Sequence, residues 1–261
     1  MDSVAGRTDR QTLMQHPNEM PDFHRIRALR DEFARFLLSY KFGSDEMLTK
    51  INILKEAFEL NNDYSPIEHV SFRMKSPDSI LEKARRRGIE LSLSSIRKNI
   101  LDIAGIRITC SFNSDVYRLR DILIRQEDVT LLETKDYISQ PKPNGYKSLH
   151  LLVSIPVFTM DQVEQVPVEL QIRTIAMDFW ASLEHKIYYK YEGAIPKNLL
   201  VELRDAADVA NRLDRTMERL HEEVTNLPRA QKVQAAAPLT EMSGELLENL
   251  ARAAKDPGAT P

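Results

Sequence analysis

Four groups of residues carry side chains suited to phosphate and metal chemistry. Arg73-Met74-Lys75 places two cations two residues apart, which in an extended segment puts both on one face. Ser79, Lys83 and Arg86 follow at i, i+4 and i+7, one face of a helix. Together they could line a groove for a triphosphate; a solvated charged face is the plainer alternative. Next, Asp102 stands immediately before the run Ile103-Ala104-Gly105-Ile106-Arg107. That is the lip of a strand, where metal ligands are often placed, though an N-cap or turn aspartate looks the same. Third, Val168-Glu169-Leu170-Gln171-Ile172-Arg173-Thr174 alternates strictly, with Glu169, Gln171 and Arg173 opposite Val168, Leu170 and Ile172. A polar row inside a central strand is costly unless it lines a wet site; on an edge strand it would be unremarkable. Glu169 could join Asp102 around Mg²⁺, which favours one or two carboxylates plus substrate phosphates. Last comes Lys142-Pro143-Asn144-Gly145-Tyr146-Lys147-Ser148-Leu149-His150. Asn-Gly makes a tight turn, Tyr146 offers a ring for base stacking, and Lys142 and His150 offer donors. By itself such a segment is usually only a turn.

The eight glycines form neither G-x-G-x-x-G nor a Walker A loop. Phosphates here would have to be held by side-chain cations.

The elements that would position these groups can be read in outline. Residues 1–20 are polar without a period and read as a disordered arm. Ile26, Leu29, Phe33 and Leu37 mark an amphipathic helix over Phe23–Tyr40, which Gly43 ends. Ser44, followed by two acids, reads as the N-cap of a second helix that carries Leu48, Ile51, Leu54, Ala57 and Phe58 inward. His69–Lys75 reads as a strand, and Pro77 and Gly88 bracket a helix. A buried strand over Ile103–Phe112 precedes a helix capped by Ser114 and running through Ile124. Further strands are expected at Val129–Ile138, Leu149–Val157 and Val166–Thr174, with a turn at Gln140–Lys147. Ile175–Tyr191 reads as a helix with Phe179, Leu183 and Ile187 on one face. After Pro196, Leu199, Leu203, Ala206, Ala210, Leu213, Met217, Leu220 and Val224 repeat as a heptad seam. That seam packs either onto the chain's own core or onto another subunit. Residues 227–261 read as a flexible Ala/Pro-rich tail with one weak amphipathic helix expected around Leu246, Leu247 and Leu250. The expected class is α+β: one mixed, mainly antiparallel β-sheet flanked by helices, with a long C-terminal helix.

Composition bounds the function. The chain of 261 residues is 42% apolar and 29% charged, ordinary for a globular protein. Its single cysteine, Cys110, excludes an internal disulfide and reads as core filling. No segment approaches a membrane span and Met1–Gln11 is no signal peptide, so a cytoplasmic protein is expected. A net charge of −3 does not advertise nucleic-acid binding. Yet Arg73–Arg107 holds nine Lys/Arg against four Asp/Glu, room for a polyanion.

Taken in order, Arg73-x-Lys75 with Ser79-Ile80-Leu81-Glu82-Lys83, Asp102–Arg107, Asn144–His150 and Val168–Thr174 resemble the synthetase domain of the RelA/SpoT family. Ala176–Lys186 fits as well, and the resemblance spans roughly residues 45–225. It implies a nucleotidyltransferase-like alarmone synthetase domain over 21–226. It further implies a small alarmone synthetase that moves pyrophosphate from ATP to the 3′-hydroxyl of GDP, GTP or GMP. Arg73 and Arg107 would sandwich adenine, with Lys75, Ser79, Lys83 and Arg86 on the phosphates. Asp102 and Glu169 would hold Mg²⁺, and Glu169 would help activate the acceptor. Tyr146 would stack on guanine, with Lys142, Asn144, His150 and Gln171 placing the acceptor nucleotide.

Only about 40 residues precede the core and none of the six histidines is followed by aspartate. Alarmone hydrolysis and long C-terminal regulatory domains are therefore not expected. Small members of this type are typically tetramers, which would give the heptad helix a subunit role. In one group, product binding between subunits activates the enzyme through an aromatic and an asparagine; the comparable positions are His69 and Asp178. The added negative charge of Asp178 argues against such activation here. Three alternatives stand: a toxic synthetase acting on adenosine nucleotides or the tRNA 3′ end, a silent RNA-binding module, and a coiled-coil scaffold. Nucleic acid is an optional partner, not a required one.

Overall fold

The alternation of apolar and polar residues along the strands sorts them onto two faces of one sheet. The computed structural model describes residues 23–61, 64–189 and 196–226. The expected N-terminal arm and C-terminal tail lie outside the described residues. Met1–Glu218 forms one unit and Arg219–Pro261 a second, of which only the last turns of one helix are described.

The strands are β1 (Ile67–Met74), β2 (Ala104–Cys110), β3 (Thr130–Asp136), β4 (Leu149–Phe158) and β5 (Val163–Thr174). They lie in the order β1-β2-β5-β4-β3, with β2 and β5 parallel and every other pair antiparallel. This is the expected mixed, mainly antiparallel sheet. β4 and β5 are joined by a tight connection in which the Thr159 amide donates to Gln162 O at 3.0 Å. The parallel pair needs a crossover, supplied by everything between residues 110 and 163.

Register puts the chemistry on one side. Gly105, Arg107 and Thr109 of β2 pair with Glu169, Gln171 and Arg173 of β5. His150 of β4 pairs with Gln171, and Arg73 of β1 with Gly105. The opposite face carries Ile106, Ile108, Leu151, Val168, Leu170 and Ile172, all buried in the main core.

The helix α1 (Phe23–Asn61) covers that apolar face through Tyr40, Met47 and Ile51. Here the structure corrects the expectation of two helices: α1 runs straight through Gly43 and Ser44. A Cβ on Gly43 would stand 2.6 Å from Val166 Cγ1, so glycine is what lets the helix lie close to β5. Ser44 does not cap; its hydroxyl is buried and donates to Tyr40 O at 2.9 Å. The burial of this face offsets the roughly 1 kcal/mol cost of a mid-helix glycine. Ile26 and Leu29, expected inward, are exposed.

The helix α2 (Pro77–Arg86) begins and ends as expected, with Ser76 as cap, Pro77 in the first turn and Gly88 at φ 64° beyond the end. The helix α3 (Leu93–Asn99), capped by Ser92, has no counterpart in the sequence reading. The helix α4 (Asn113–Ile124) corrects the assignment of Ser114 as cap. Phe112 holds the cap position and its amide donates to Asp115 Oδ2 at 3.2 Å, leaving Ser114 inside the first turn.

The helix α5 (Ile175–Tyr189) continues directly from β5, and α6 (Lys197–Thr225) packs on it. Trp180 Nε1 donates to Leu203 O at 2.9 Å, and Trp180, Ala181, Leu203 and Ala207 form a second small core. The inward face of α6 is thus Leu203, Ala207 and Asp214; Ala206, Leu213 and Met217 of the heptad seam are exposed. On α5 the expected Phe179, Leu183 and Ile187 face is exposed too.

Candidate active site

On the β1–β2 side, Asp102 precedes β2 and is held there because the Lys75 amide donates to Ile103 O at 2.8 Å. Both lysines converge on one carboxylate oxygen: Lys83 Nζ lies 2.5 Å and Lys75 Nζ 3.2 Å from Asp102 Oδ2. The other oxygen, Oδ1, is buried with no hydrogen-bond partner among the described residues. Burial pushes the Asp102 carboxyl up, but Lys83 and Lys75 outweigh it and hold it below the usual carboxylate range. Arg73, Lys75, Asp102, Arg107, Glu169 and Gln171 line one cavity of about 440 Å³. Gly105 lies at its floor, paired with Arg73 on one side and Glu169 on the other. Ser71, not Arg73, faces Arg107 across the ladder, so the two arginines sit on a diagonal. Ser79 is engaged in the α2 cap, its hydroxyl accepting from Ser76 Oγ at 2.9 Å, and Arg86 is exposed. Neither lines this cavity.

The acceptor-side residues expected from the sequence also come together. In the turn, the Gly145 amide donates to Lys142 O at 2.8 Å, and Gly145 has φ 90°. Asn144 Oδ1 accepts from the Tyr146 amide at 3.2 Å, while Asn144 Nδ2 donates to Glu184 Oε1 at 3.0 Å. The turn is pressed onto α6: a Cβ on Gly145 would stand 2.5 Å from Ala207 Cβ. Lys142 Nζ lies 4.7 Å from the Tyr137 ring centroid and 4.8 Å from that of Tyr146.

Tyr146, His150, Glu169, Gln171 and Arg173 close a ring of hydrogen bonds. Arg173 Nη2 donates to both Tyr146 Oη and Gln171 Oε1 at 2.8 Å. A guanidinium can only donate, so the tyrosine proton points to His150 Nε2, 2.8 Å away. That leaves the His150 Nδ1 proton for Glu169 Oε1 at 3.2 Å, while Gln171 Nε2 donates to Glu169 Oε2 at 2.9 Å. Burial pushes the Glu169 carboxyl up, yet the bonds from His150 and Gln171 prevail and hold it below its usual range.

Arg173 and Asp178 were missed as site residues. Arg173 is only 4% exposed, and its Nη1 donates to Asp178 Oδ1 at 3.2 Å. Asp178 Oδ1 also faces Arg107 Nε at 3.5 Å. The signal for Arg173 was its place in the polar row beside Glu169 and Gln171. Asp178 had none pointing here, since it lies on the following helix.

Asp102 Oδ1 is a hard oxygen without a hydrogen-bond partner among the described residues, and Asp102 lines the same cavity as Glu169, so the donor set suits a divalent cation that keeps waters and substrate phosphates. Among the described residues no group of three or more His, Cys, Asp or Glu forms a ready-made cage. Carboxylates and cations thus share one face of the sheet, an arrangement whose chemistry suits an enzyme acting on phosphorylated substrates.

The chain is similar in sequence and fold to known proteins. The family model for the region found in RelA/SpoT proteins matches residues 72–194. A GTP pyrophosphokinase of Bacillus subtilis (strain 168), YwaC, is 46% identical over 199 residues, 76% of this chain and 95% of that one. The crystal structure of small alarmone synthetase 1 from Bacillus subtilis bound to its product pppGpp superposes with TM-score 0.69 at 40% identity. It covers 75% of this chain and 99% of its own. Small alarmone synthetase 2 from the same organism gives 0.67 at 47% identity, over 74% and 99%. The chain belongs to the RelA/SpoT family.

Proposed function

We propose that this chain is a small alarmone synthetase that transfers the pyrophosphoryl group of ATP to the 3′-hydroxyl of GDP or GTP and releases AMP. The observation that carries the reading is the shared cavity, in which Arg73, Lys75 and Arg107 stand beside Asp102 and Glu169. The donor lies over β1 and β2, its adenine between Arg73 and Arg107 and its phosphates toward Lys75 and Lys83, while Ser79 and Arg86 stand outside the cavity lining. The acceptor guanine stacks on Tyr146, with Lys142, Asn144, His150 and Gln171 setting its orientation.

Transfer requires the acceptor 3′-oxygen in line with the β-phosphorus of ATP. Such reactions depend on positioning and charge neutralisation more than on covalent help. Lys75 and Lys83 neutralise phosphate charge, and the sheet fixes the angle between the half-sites. Glu169, held ionised by His150 and Gln171, is a weak base. It orients the 3′-hydroxyl and takes its proton as the P–O bond forms, without first generating an alkoxide. Asp102 and Glu169 would hold Mg²⁺, which supplies charge stabilisation on the transferring group.

The exposed apolar residues of α5 and α6, Phe179, Leu183, Val209, Leu213 and Met217, form the surface we assign to contacts with further copies of the chain in a tetramer. Sedimentation of the wild type against Leu213→Glu tests it. No helix among the described residues is long and apolar enough to cross a membrane; with ATP and GTP as substrates, we infer a cytoplasmic enzyme.

Incubation with γ-labelled ATP and GDP, GTP, GMP, AMP or tRNA tests the reaction. Label is expected on GDP and GTP. Label on AMP or tRNA alone, or on nothing, would overturn the assignment.

A further inference from the structure

The donor clamp and the acceptor platform are joined by a continuous run of side chains. Arg107 lines the donor cavity, and its Nε faces Asp178 Oδ1 at 3.5 Å. The same oxygen accepts from Arg173 Nη1 at 3.2 Å. Arg173 in turn holds Tyr146 Oη and Gln171 Oε1, both at 2.8 Å, and its Nε lies 3.4 Å from Ser148 Oγ. One carboxylate oxygen therefore sits between a guanidinium from each half-site.

The ends of this run differ in stiffness. Arg173 is buried and four partners fix its plane, so it has almost no freedom. Arg107 is looser: its Nε is buried, makes no hydrogen bond among the described residues and reaches Asp178 only at ion-pair distance. The Asp178 link has room to tighten when a base settles on the Arg107 guanidinium. Tightening would pull on Arg173, which orients Tyr146 and Gln171. The reverse holds as well, because coupling between binding sites is reciprocal.

We propose that Arg173 and Asp178 are positioning residues that couple the two half-sites, so that each nucleotide strengthens the binding of the other. This rests on the two-nucleotide reading of the site. Neither residue need touch the reacting atoms. Their role is to make the aligned geometry a property of the doubly loaded site, which limits unproductive loading by one nucleotide.

The test is calorimetric titration of the full chain with α,β-methylene ATP, which cannot be cleaved at the reacting bond, with and without saturating GDP. In the wild type GDP is expected to tighten the analogue by about fivefold or more. Asp178→Asn keeps the shape but loses the charge that holds two guanidiniums. In it the effect should fall below about twofold, while affinity for each nucleotide alone stays within about threefold of wild type. Arg173→Lys keeps the charge but cannot span the partners of a planar fork, and should lose the effect too. Should Arg173→Lys fail to fold, Asp178→Asn and its thermal midpoint carry the test. Undiminished synergy in Asp178→Asn, or wild-type half-sites that load independently, would overturn the coupling while leaving the proposed reaction intact. A wild type that does not bind the ATP analogue at all would overturn the proposed function and the coupling together.

Discussion

Lys83 Nζ lies 2.5 Å from Asp102 Oδ2, the same oxygen that Lys75 reaches at 3.2 Å. Both ammonium groups reach the same carboxylate oxygen, and the opposite oxygen is buried without a hydrogen-bond partner among the described residues. This asymmetry separates a carboxylate used as structural ballast, whose oxygens are both consumed, from one that still has a lone pair to offer. Asp102→Asn keeps the shape and removes the charge. It is expected to lower kcat/KM by about 10²-fold or more, a magnitude usual for losing one charge-stabilising group. Circular dichroism should show the fold retained, and the labelled-ATP assay measures the loss.

Glu169→Gln should abolish transfer without unfolding the protein. A carboxamide presents an NH₂ to donors already aimed at it by His150 or Gln171, so one arm of the ring must break. Loss of labelling with a thermal midpoint near wild type is the expected pair of results. Retained activity would remove Glu169 from the mechanism.

Glu169 and Asp102 also set an acid limit to stability. Both carboxyls sit below their ordinary values in the folded chain. Their stabilising contribution is therefore present above the ordinary carboxylate range and is lost as pH falls through the folded-state values. Asp214 runs the other way. Burial raises its carboxyl, with Thr174 and Lys147 opposing, so its ionised form works against folding at neutral pH. That penalty is relieved as pH falls through the raised value. Asp214→Asn can still accept the Thr174 hydroxyl, which donates to Asp214 Oδ2 at 2.7 Å. It should leave the neutral-pH midpoint unchanged or raise it, whereas Asp214→Leu strands a buried hydroxyl at about 1–3 kcal/mol. Thermal melts across pH 4 to 8 resolve the two (about the span over which carboxylates and histidine titrate).

Gly145→Ala should be severe for one methyl group. The position needs φ 90°, and the new Cβ would stand 2.5 Å from Ala207 Cβ. Backbone strain of this kind costs about 1–3 kcal/mol. The turn carries Tyr146, so KM for the acceptor should rise more than KM for ATP, which steady-state kinetics will show.

Added product should activate the enzyme by no more than about twofold, since a coupling of about fivefold is where allostery becomes substantial. Where the activated group carries an asparagine this chain has Asp178, whose carboxylate is already engaged by Arg107 and Arg173. Initial rates with and without product decide it.

The polar face of the sheet was readable because its signal is local. Val168–Thr174 alternates, and register across β2 and β4 then carries the rest. Pro77 and Gly88 likewise bracket α2 through their own backbone preferences. What could not be read depends on distant partners. Gly43 looks like a helix end until Val166 is seen packed against it, because nothing nearby reports the burial that keeps α1 whole. The heptad on α6 is a true apolar pattern, yet Trp180 selects Leu203 and Ala207 as the inward face. Asp178 joins the site only through Arg173 and Arg107, contacts between two strands and the helix that follows the second.

The parallel pairing of β2 with β5 ties catalysis to the completeness of folding. Asp102 and Glu169 are neighbours only because the long excursion through α4, β3 and β4 has been finished and the chain has returned to lie beside its earlier self. Contacts so remote in sequence form late and slowly. On the proposed reading, a chain that has not yet laid down β5 lacks Glu169 beside Asp102 and is expected to be inactive until that strand is in place.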